Sequence, residues 1–204
     1  MITPVIGFAG NIGSGKTTFT RFISKSQNWI PFYEPVSDNP YLEDFYNDMP
    51  RWSFNLQVYF LHKRFEMHKK MSQMKMGVVQ DRTIFEDKEI FAKNLYEMKK
   101  ISQRDWENYS GLFASMVSFL KKPDLVIYLK ASTDILLRRI QSRNRDFEKN
   151  VDPGYIRTLN AAYDRWVDKE KRYPVIIINT DNFNIYKDQH LFKKIEKKIL
   201  KTLL

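Results

Sequence analysis

Short apolar runs alternate along this chain with longer segments in which apolar residues recur three and four positions apart. The runs at 5–9, 29–33, 78–79 and 124–129 read as strands. The last run, Val175-Ile176-Ile177-Ile178, has no polar alternation and predicts a strand covered on both faces. A helix can begin near Lys16, after a glycine-rich turn. Residues 41–76 read as mostly helical, with Pro50 breaking a short helix from a long one, and Gly77 ends the segment. In the long helix Phe54, Val58, Leu61 and Phe65 keep helical spacing. Residues 85–121 read as two helices, the second starting after a Ser102 cap. Ser132 can cap the helix after the fourth strand. A polar, arginine-rich stretch over 143–150 then precedes Asp152-Pro153, an N-cap with proline at the first helical position. A lysine-rich helix closes the chain. Five strands separated by helices predict a parallel sheet in an α/β fold. With no repeat and no low-complexity linker, 1–204 is read as one domain.

Composition narrows the class. Of 204 residues 43% are hydrophobic and 15% aromatic, too many for a disordered chain and enough for a sizeable core. Lys and Arg number 34 against 24 Asp and Glu, and the net +10 implies an anionic partner. Charge alone does not separate nucleic acid from a nucleotide or a phosphorylated metabolite. The lack of cysteine excludes disulfide scaffolds, thiol catalysis and Cys-based zinc sites. No apolar run has the length of a transmembrane helix, so no membrane partner is expected. The segment Met1-Ile2-Thr3-Pro4-Val5-Ile6 lacks a basic n-region and reads as the lead-in to the first strand, which makes the cytoplasm the expected compartment.

The turn after the first strand carries the strongest chemistry. Gly10-Asn11-Ile12-Gly13-Ser14-Gly15-Lys16-Thr17, with Thr18 beside it, fits the phosphate-loop pattern G-x-x-x-x-G-K-[ST] at every fixed position. Its glycines let backbone N–H groups curve around phosphate oxygens, and the helix N-terminus and Lys16 add positive charge. The Thr17 hydroxyl is placed to ligate Mg²⁺ on the β- and γ-phosphates. Such a loop binds a nucleotide such as ATP but does not define the reaction. A GTPase would need N-K-x-D and a D-x-x-G after a strand, and Asn179-Thr180-Asp181 lacks the lysine. The acidic pair of large ATPases is also absent.

Other motifs do define a family. Glu34-Pro35-Val36 follows the second strand, and Arg51-Trp52-Ser53-Phe54 leads into a helix with Gln57. Asp81-Arg82-Thr83 follows the third strand, and Arg139-x-x-x-Arg143-x-Arg145 is followed by Glu148. In this order and spacing, over residues 5 to about 180, the chain resembles the deoxynucleoside kinase family. It looks closer to the deoxyadenosine, deoxyguanosine and deoxycytidine kinases than to the thymidine-using members.

The resemblance implies a P-loop NTPase-type three-layer α/β fold, with a five-stranded parallel sheet flanked by helices and an arginine-rich lid at about 143–150. It also implies ATP-dependent phosphorylation of a deoxynucleoside 5′-hydroxyl in nucleotide salvage, with Mg²⁺. Such a kinase must take the hydroxyl proton and hold the oxygen in line with the γ-phosphorus. Glu34, at the carboxyl end of a strand, suits a base, and the family uses this glutamate so. Without the resemblance a surface carboxylate before a proline turn is the lesser alternative. By the same likeness Arg82 meets the 5′-oxygen region and Glu34, and Asp81 takes a Mg²⁺-side role beside Thr17. For that pair a buried structural ion pair is the plain alternative.

Lid arginines Arg139, Arg143 and Arg145 would stabilise charge on the transferring phosphoryl, joined by Lys16. A solvated basic helix face is the reading without the family. Gln57, Arg64 and Asp87 would read the base, with Phe54 and Phe91 as stacking walls and Tyr46 and Glu148 on the 3′-hydroxyl. Core packing is the unaided reading of both phenylalanines. The Arg64–Asp87 combination is the pattern expected where thymine is disfavoured, so a purine deoxynucleoside comes first and deoxycytidine second. A homodimer through helices at 52–76 and 103–121 is implied as well. Two competitors remain: a nucleoside monophosphate kinase of the thymidylate kinase type, and a basic P-loop protein that binds nucleic acid without turnover.

Overall fold

A computed structural model describes residues 3–36 and 39–204; Met1 and Ile2 of the N-terminal segment lie outside it. Five parallel strands form one sheet in the order β2-β3-β1-β4-β5: β1 (Val5–Ala9), β2 (Ile30–Phe32), β3 (Val78–Asp81), β4 (Leu125–Lys130) and β5 (Val175–Asn179). β1 is central, pairing with β3 on one side and β4 on the other, so the turn leaving it opens where the connections diverge, the usual place for an α/β site. Phe8 lies opposite Asp81, and the Arg82 N–H donates to the Phe8 carbonyl at 2.9 Å. That register sets Asp81 and Arg82 beside the phosphate loop.

Helices cover both faces. α1 (Lys16–Gln27) and α9 (Gln189–Leu203) pack on one of them. α9 buries Phe192, Ile195 and Ile199, three and four apart, and leaves its lysines outside. At about 1.5–3 kcal/mol for each buried apolar side chain, that stripe is enough to dock it. The other face carries α3 (Met49–Met71), α6 (Gln103–Val117) and α8 (Pro153–Lys169), packed around Tyr109, Tyr128 and Tyr163. α7 (Thr133–Arg143) sits against α8 beside the phosphate loop through Leu136, Ile140 and Ile156.

The expected strands and helices are all present among the described residues, with three differences. β5 is an edge strand; Ile176 and Ile178 are buried, whereas on the other face Val175 is partly buried and Ile177 is 51% exposed, so that face is incompletely covered. The break between α2 (Leu42–Asn47) and α3 falls at Asp48, whose carboxylate caps the longer helix by accepting from Arg51 N–H. Pro50 is accommodated in the first turn, where its missing N–H costs nothing. Finally, the first of the two helices in 85–121 is composite. A short α4 (Ile84–Glu86) passes into a π-helical turn over Asp87–Ala92 and then α5 (Lys93–Glu97). Such turns occur often at functional sites.

Candidate active site

The phosphate loop curls over the N-terminus of α1. Gly13 has φ +84°, and a Cβ there would stand 2.9 Å from the Leu136 carbonyl. The buried Lys16 ammonium donates to the carbonyls of Gly10 and Asn11 at 2.9 and 3.0 Å. Burial, aided by the Arg82 charge, brings its pKa down to about 8. Asn11 tethers the loop to α8, donating to Ile156 O at 3.0 Å. Ile12, Gly13, Ser14, Gly15, Lys16, Thr17 and Thr18 line one side of a cleft of about 680 Å³. Gly10 and Asn11, also expected to face the nucleotide, are buried and do not line the cleft.

Opposite the loop lies a buried ionic network. Glu34 Oε1 accepts from Arg82 Nε at 2.7 Å and from Arg64 Nη2 at 2.9 Å. Burial pushes the Glu34 carboxyl up, but Arg82, Arg64 and Lys16 outweigh it and hold the pKa at about 2. Arg64 is 1% exposed and reaches Asp87 through Nε at 2.6 Å and the Asp81 and Arg82 carbonyls through Nη1. One guanidinium therefore ties Glu34 to Asp87. Burial raises Asp87 to about 6 against the pull of Arg64, and with a 2.6 Å contact we take the pair as ionised. The Arg82 guanidinium lies 4.2 Å over the Phe91 ring.

Residues suited to a divalent cation meet at the loop. Thr17 Oγ1 donates to Asp81 Oδ2 at 2.6 Å, while Asp81 Oδ1 is buried without a hydrogen-bond partner. Burial raises the Asp81 pKa, the state a bound cation would reverse. Among the described residues no cluster of three or more acidic or His ligands forms. An oxygen-seeking ion such as Mg²⁺ fits this pair, provided nucleotide phosphates and water complete its shell.

The lid arginines share the cleft but turn to protein partners. Arg139 donates to Thr180 O at 2.5 Å. Arg143 holds Glu148 through two hydrogen bonds, its Nε at 2.6 Å, and Arg145 is 3.7 Å from the same carboxylate. The buried Glu148 thus gathers two of the three. Tyr46 faces the cleft near Glu148 with its ring parallel to Phe147, 6.5 Å away. Gln57 is 2% exposed, lines the cleft and leaves Oε1 without a hydrogen-bond partner.

Two of the expected base-reading residues do not line the cleft: Arg64 lies behind it, bound to Glu34 and Asp87, and Phe54 packs against the hydrophobic core. Leu56 and Phe60, four residues apart on α3, line the cleft with Gln57 instead. Two further residues escaped the sequence reading. Glu86, wholly buried, and Tyr163, from the middle of α8, both bind Arg82. Thr83 three residues before Glu86 was a visible capping pattern, whereas nothing local marks Tyr163.

This combination of phosphate loop, carboxylate–arginine pair and arginine lid on a parallel sheet defines a P-loop phosphotransferase. The deoxynucleoside kinase family model matches residues 6–204, and the chain belongs to that family. It is 42% identical to the deoxyadenosine kinase of Dictyostelium discoideum over 179 residues, 87% of this chain and 73% of that one. It is 34% identical to the deoxyadenosine/deoxycytidine kinase of Bacillus subtilis (strain 168) over 201 residues, 98% of this chain and 93% of that one. The structure of the M. mycoides deoxyadenosine kinase with the products dCMP and a flexible dCDP bound superposes with a TM-score of 0.87. Its identity is 30%, covering 97% of this chain and 99% of that one.

Proposed function

We propose that the protein transfers the γ-phosphoryl group of ATP to the 5′-hydroxyl of a deoxynucleoside, with purine deoxynucleosides preferred and deoxycytidine next. The carrying observation is the Glu34–Arg82 pair, 2.7 Å apart and facing the phosphate loop across one cleft. The hydroxyl oxygen bonds to the γ-phosphorus as the bond to the ADP oxygen breaks, and the hydroxyl proton passes to Glu34. A carboxylate with a pKa of about 2 is a weak base, so its larger service is to hold the hydroxyl in line. Lys16, Arg82 and the lid arginines 139, 143 and 145 face the charge of the transferring group.

Gln57, Arg64, Asp87 and Phe91 are assigned to the base, and Tyr46 and Glu148 to the 3′-hydroxyl. Thr17 and Asp81 would hold Mg²⁺, which supplies charge neutralisation at the phosphates when bound. The dCMP and dCDP bound to the M. mycoides enzyme are a monophosphate and a diphosphate, the kind of pair that γ-phosphoryl transfer to a deoxynucleoside leaves, there with dCTP in place of ATP as the balancing donor. The two relatives above support the preferred bases.

We further assign one kinase domain over 1–204, with 143–150 as its lid, a cytoplasmic location and a homodimer through α3 and α6. Leu112 on α6 and Phe119 just beyond it are 42% and 83% exposed, which suits such an interface. Among the described residues no helix is long and apolar enough to cross a membrane. The test is a turnover panel with Mg-ATP over the four natural deoxynucleosides and their monophosphates. Deoxyadenosine, deoxyguanosine or deoxycytidine should be phosphorylated. Turnover of monophosphates alone would make this a monophosphate kinase, and salt-sensitive DNA binding without turnover would refute an enzyme altogether.

A further inference from the structure

Glu86 has no surface exposure, yet its carboxylate is held on every side. Oε1 accepts from the Gly10 N–H at 3.2 Å and from the Tyr163 hydroxyl at 2.7 Å, and lies 3.5 Å from Arg82 Nη1. Oε2 accepts from Thr83 N–H and Oγ1 at 2.7 and 3.1 Å. One carboxylate therefore joins the first residue of the phosphate loop, the turn after β3 and the middle of α8. Tyr163 adds a second link, its hydroxyl accepting from Arg82 Nη1 at 2.5 Å while donating to Glu86.

Arg82 itself is strained. Its φ of +71° lies in the left-handed region, uncommon for a residue with a side chain. The strain is held from both sides, by Arg82 N–H on the Phe8 carbonyl and by Thr83 N–H on Glu86. A hydroxyl at Tyr163 serves well as the link. Burial raises its pKa well above the ordinary value, so it stays a donor to Glu86 at any working pH.

We infer that Glu86 and Tyr163 are positioning residues that fix the Arg82 guanidinium against Glu34 and set its distance from the first amide of the phosphate loop. They touch neither substrate and act through Arg82 and Gly10. This rests on the phosphoryl-transfer reading above. Asn160, one turn before Tyr163, receives Asn11 Nδ2 at 3.3 Å and donates to the Ala131 carbonyl at 3.0 Å. The same face of α8, which follows the arginine-rich stretch in sequence, thus holds Asn11 directly and reaches Gly10 through Glu86.

The test compares Tyr163→Phe, which keeps the ring and loses the hydroxyl, with Tyr128→Phe. Tyr128 stacks on Tyr163 at 5.6 Å, but its hydroxyl bonds Asp164. Tyr163→Phe should lower kcat about tenfold with both KM values kept within about twofold, because alignment of Arg82 matters in the transition state. Tyr128→Phe should keep wild-type kcat. Glu86→Gln, which cannot accept from Gly10, Thr83 and Tyr163 together, should lower kcat further, again without a matching rise in KM. In an Arg82→Lys background, adding Tyr163→Phe should cost no more than about twofold.

A wild-type kcat in Tyr163→Phe, an equal loss in Tyr128→Phe, or additive losses with Arg82→Lys would each overturn this inference alone. No transfer by the wild-type protein would overturn it together with the proposed function.

Discussion

Replacing Glu34 with glutamine separates its two jobs. The side chain keeps its shape and its Oε1 can still accept from both Arg82 and Arg64, but its charge is gone. In the fold Arg82, Arg64 and Lys16 overcome burial and hold the carboxyl at about 2 against an ordinary 4.5. A gap of that size is worth about 3 kcal/mol of stability at neutral pH. The sign follows from the depressed value. The contribution is complete above about pH 4.5, where the unfolded carboxylate is also ionised, and is lost as pH falls toward 2. From pH 7 to about pH 3 the wild type should lose about 2 kcal/mol that the glutamine variant does not.

Losing the charge also relieves Asp81 and Asp87, whose pKa values Glu34 helps to raise, and this trims the difference. Urea unfolding of both proteins at several pH values in that window measures it. Turnover of the variant at neutral pH should fall about a hundredfold, the low end for a general base, since a base this weak contributes mainly orientation. Parallel stability curves would refute the ion-pair reasoning. Turnover within about twofold of wild type would refute the placement of the hydroxyl on Glu34.

Three further outcomes follow from the site. Gly13→Ala places a Cβ 2.9 Å from the Leu136 carbonyl at φ +84°, so triphosphate binding by calorimetry should weaken at least about tenfold. The KM for ATP should rise with pH above about 8, where the free Lys16 ammonium loses its proton, and a flat profile from neutral to alkaline pH would contradict that charge state. Asp87→Ala leaves the buried Arg64 without its closest partner; it should cost about 3 kcal/mol in urea unfolding, the low end for a broken buried pair because Arg64 retains Glu34 and two carbonyls.

The sequence alone determined what is local. A phosphate loop is built from contiguous backbone amides, so Gly10 to Thr17 announces itself in eight letters, and strand and helix periods are equally local. The motifs at Glu34, Asp81-Arg82 and the lid arginines carried the family, and the cleft gathers all of them.

Tertiary structure decided what depends on neighbours distant in sequence. Periodicity says that a run is apolar but not which layer lies over it, so the edge position of β5 and the exposure of Ile177 were invisible. Helical spacing put Phe54 near Gln57 without giving the rotation of α3, which sends Phe54 to the core and Leu56 to the cleft. The partners of the charges were hidden as well. Arg64 reaches Glu34 across 30 residues and Arg82 reaches Tyr163 across 81. Such pairs form because a buried charge must find its counter-charge or donor wherever the fold brings one within about 3 Å, and chain order places no constraint on where that is.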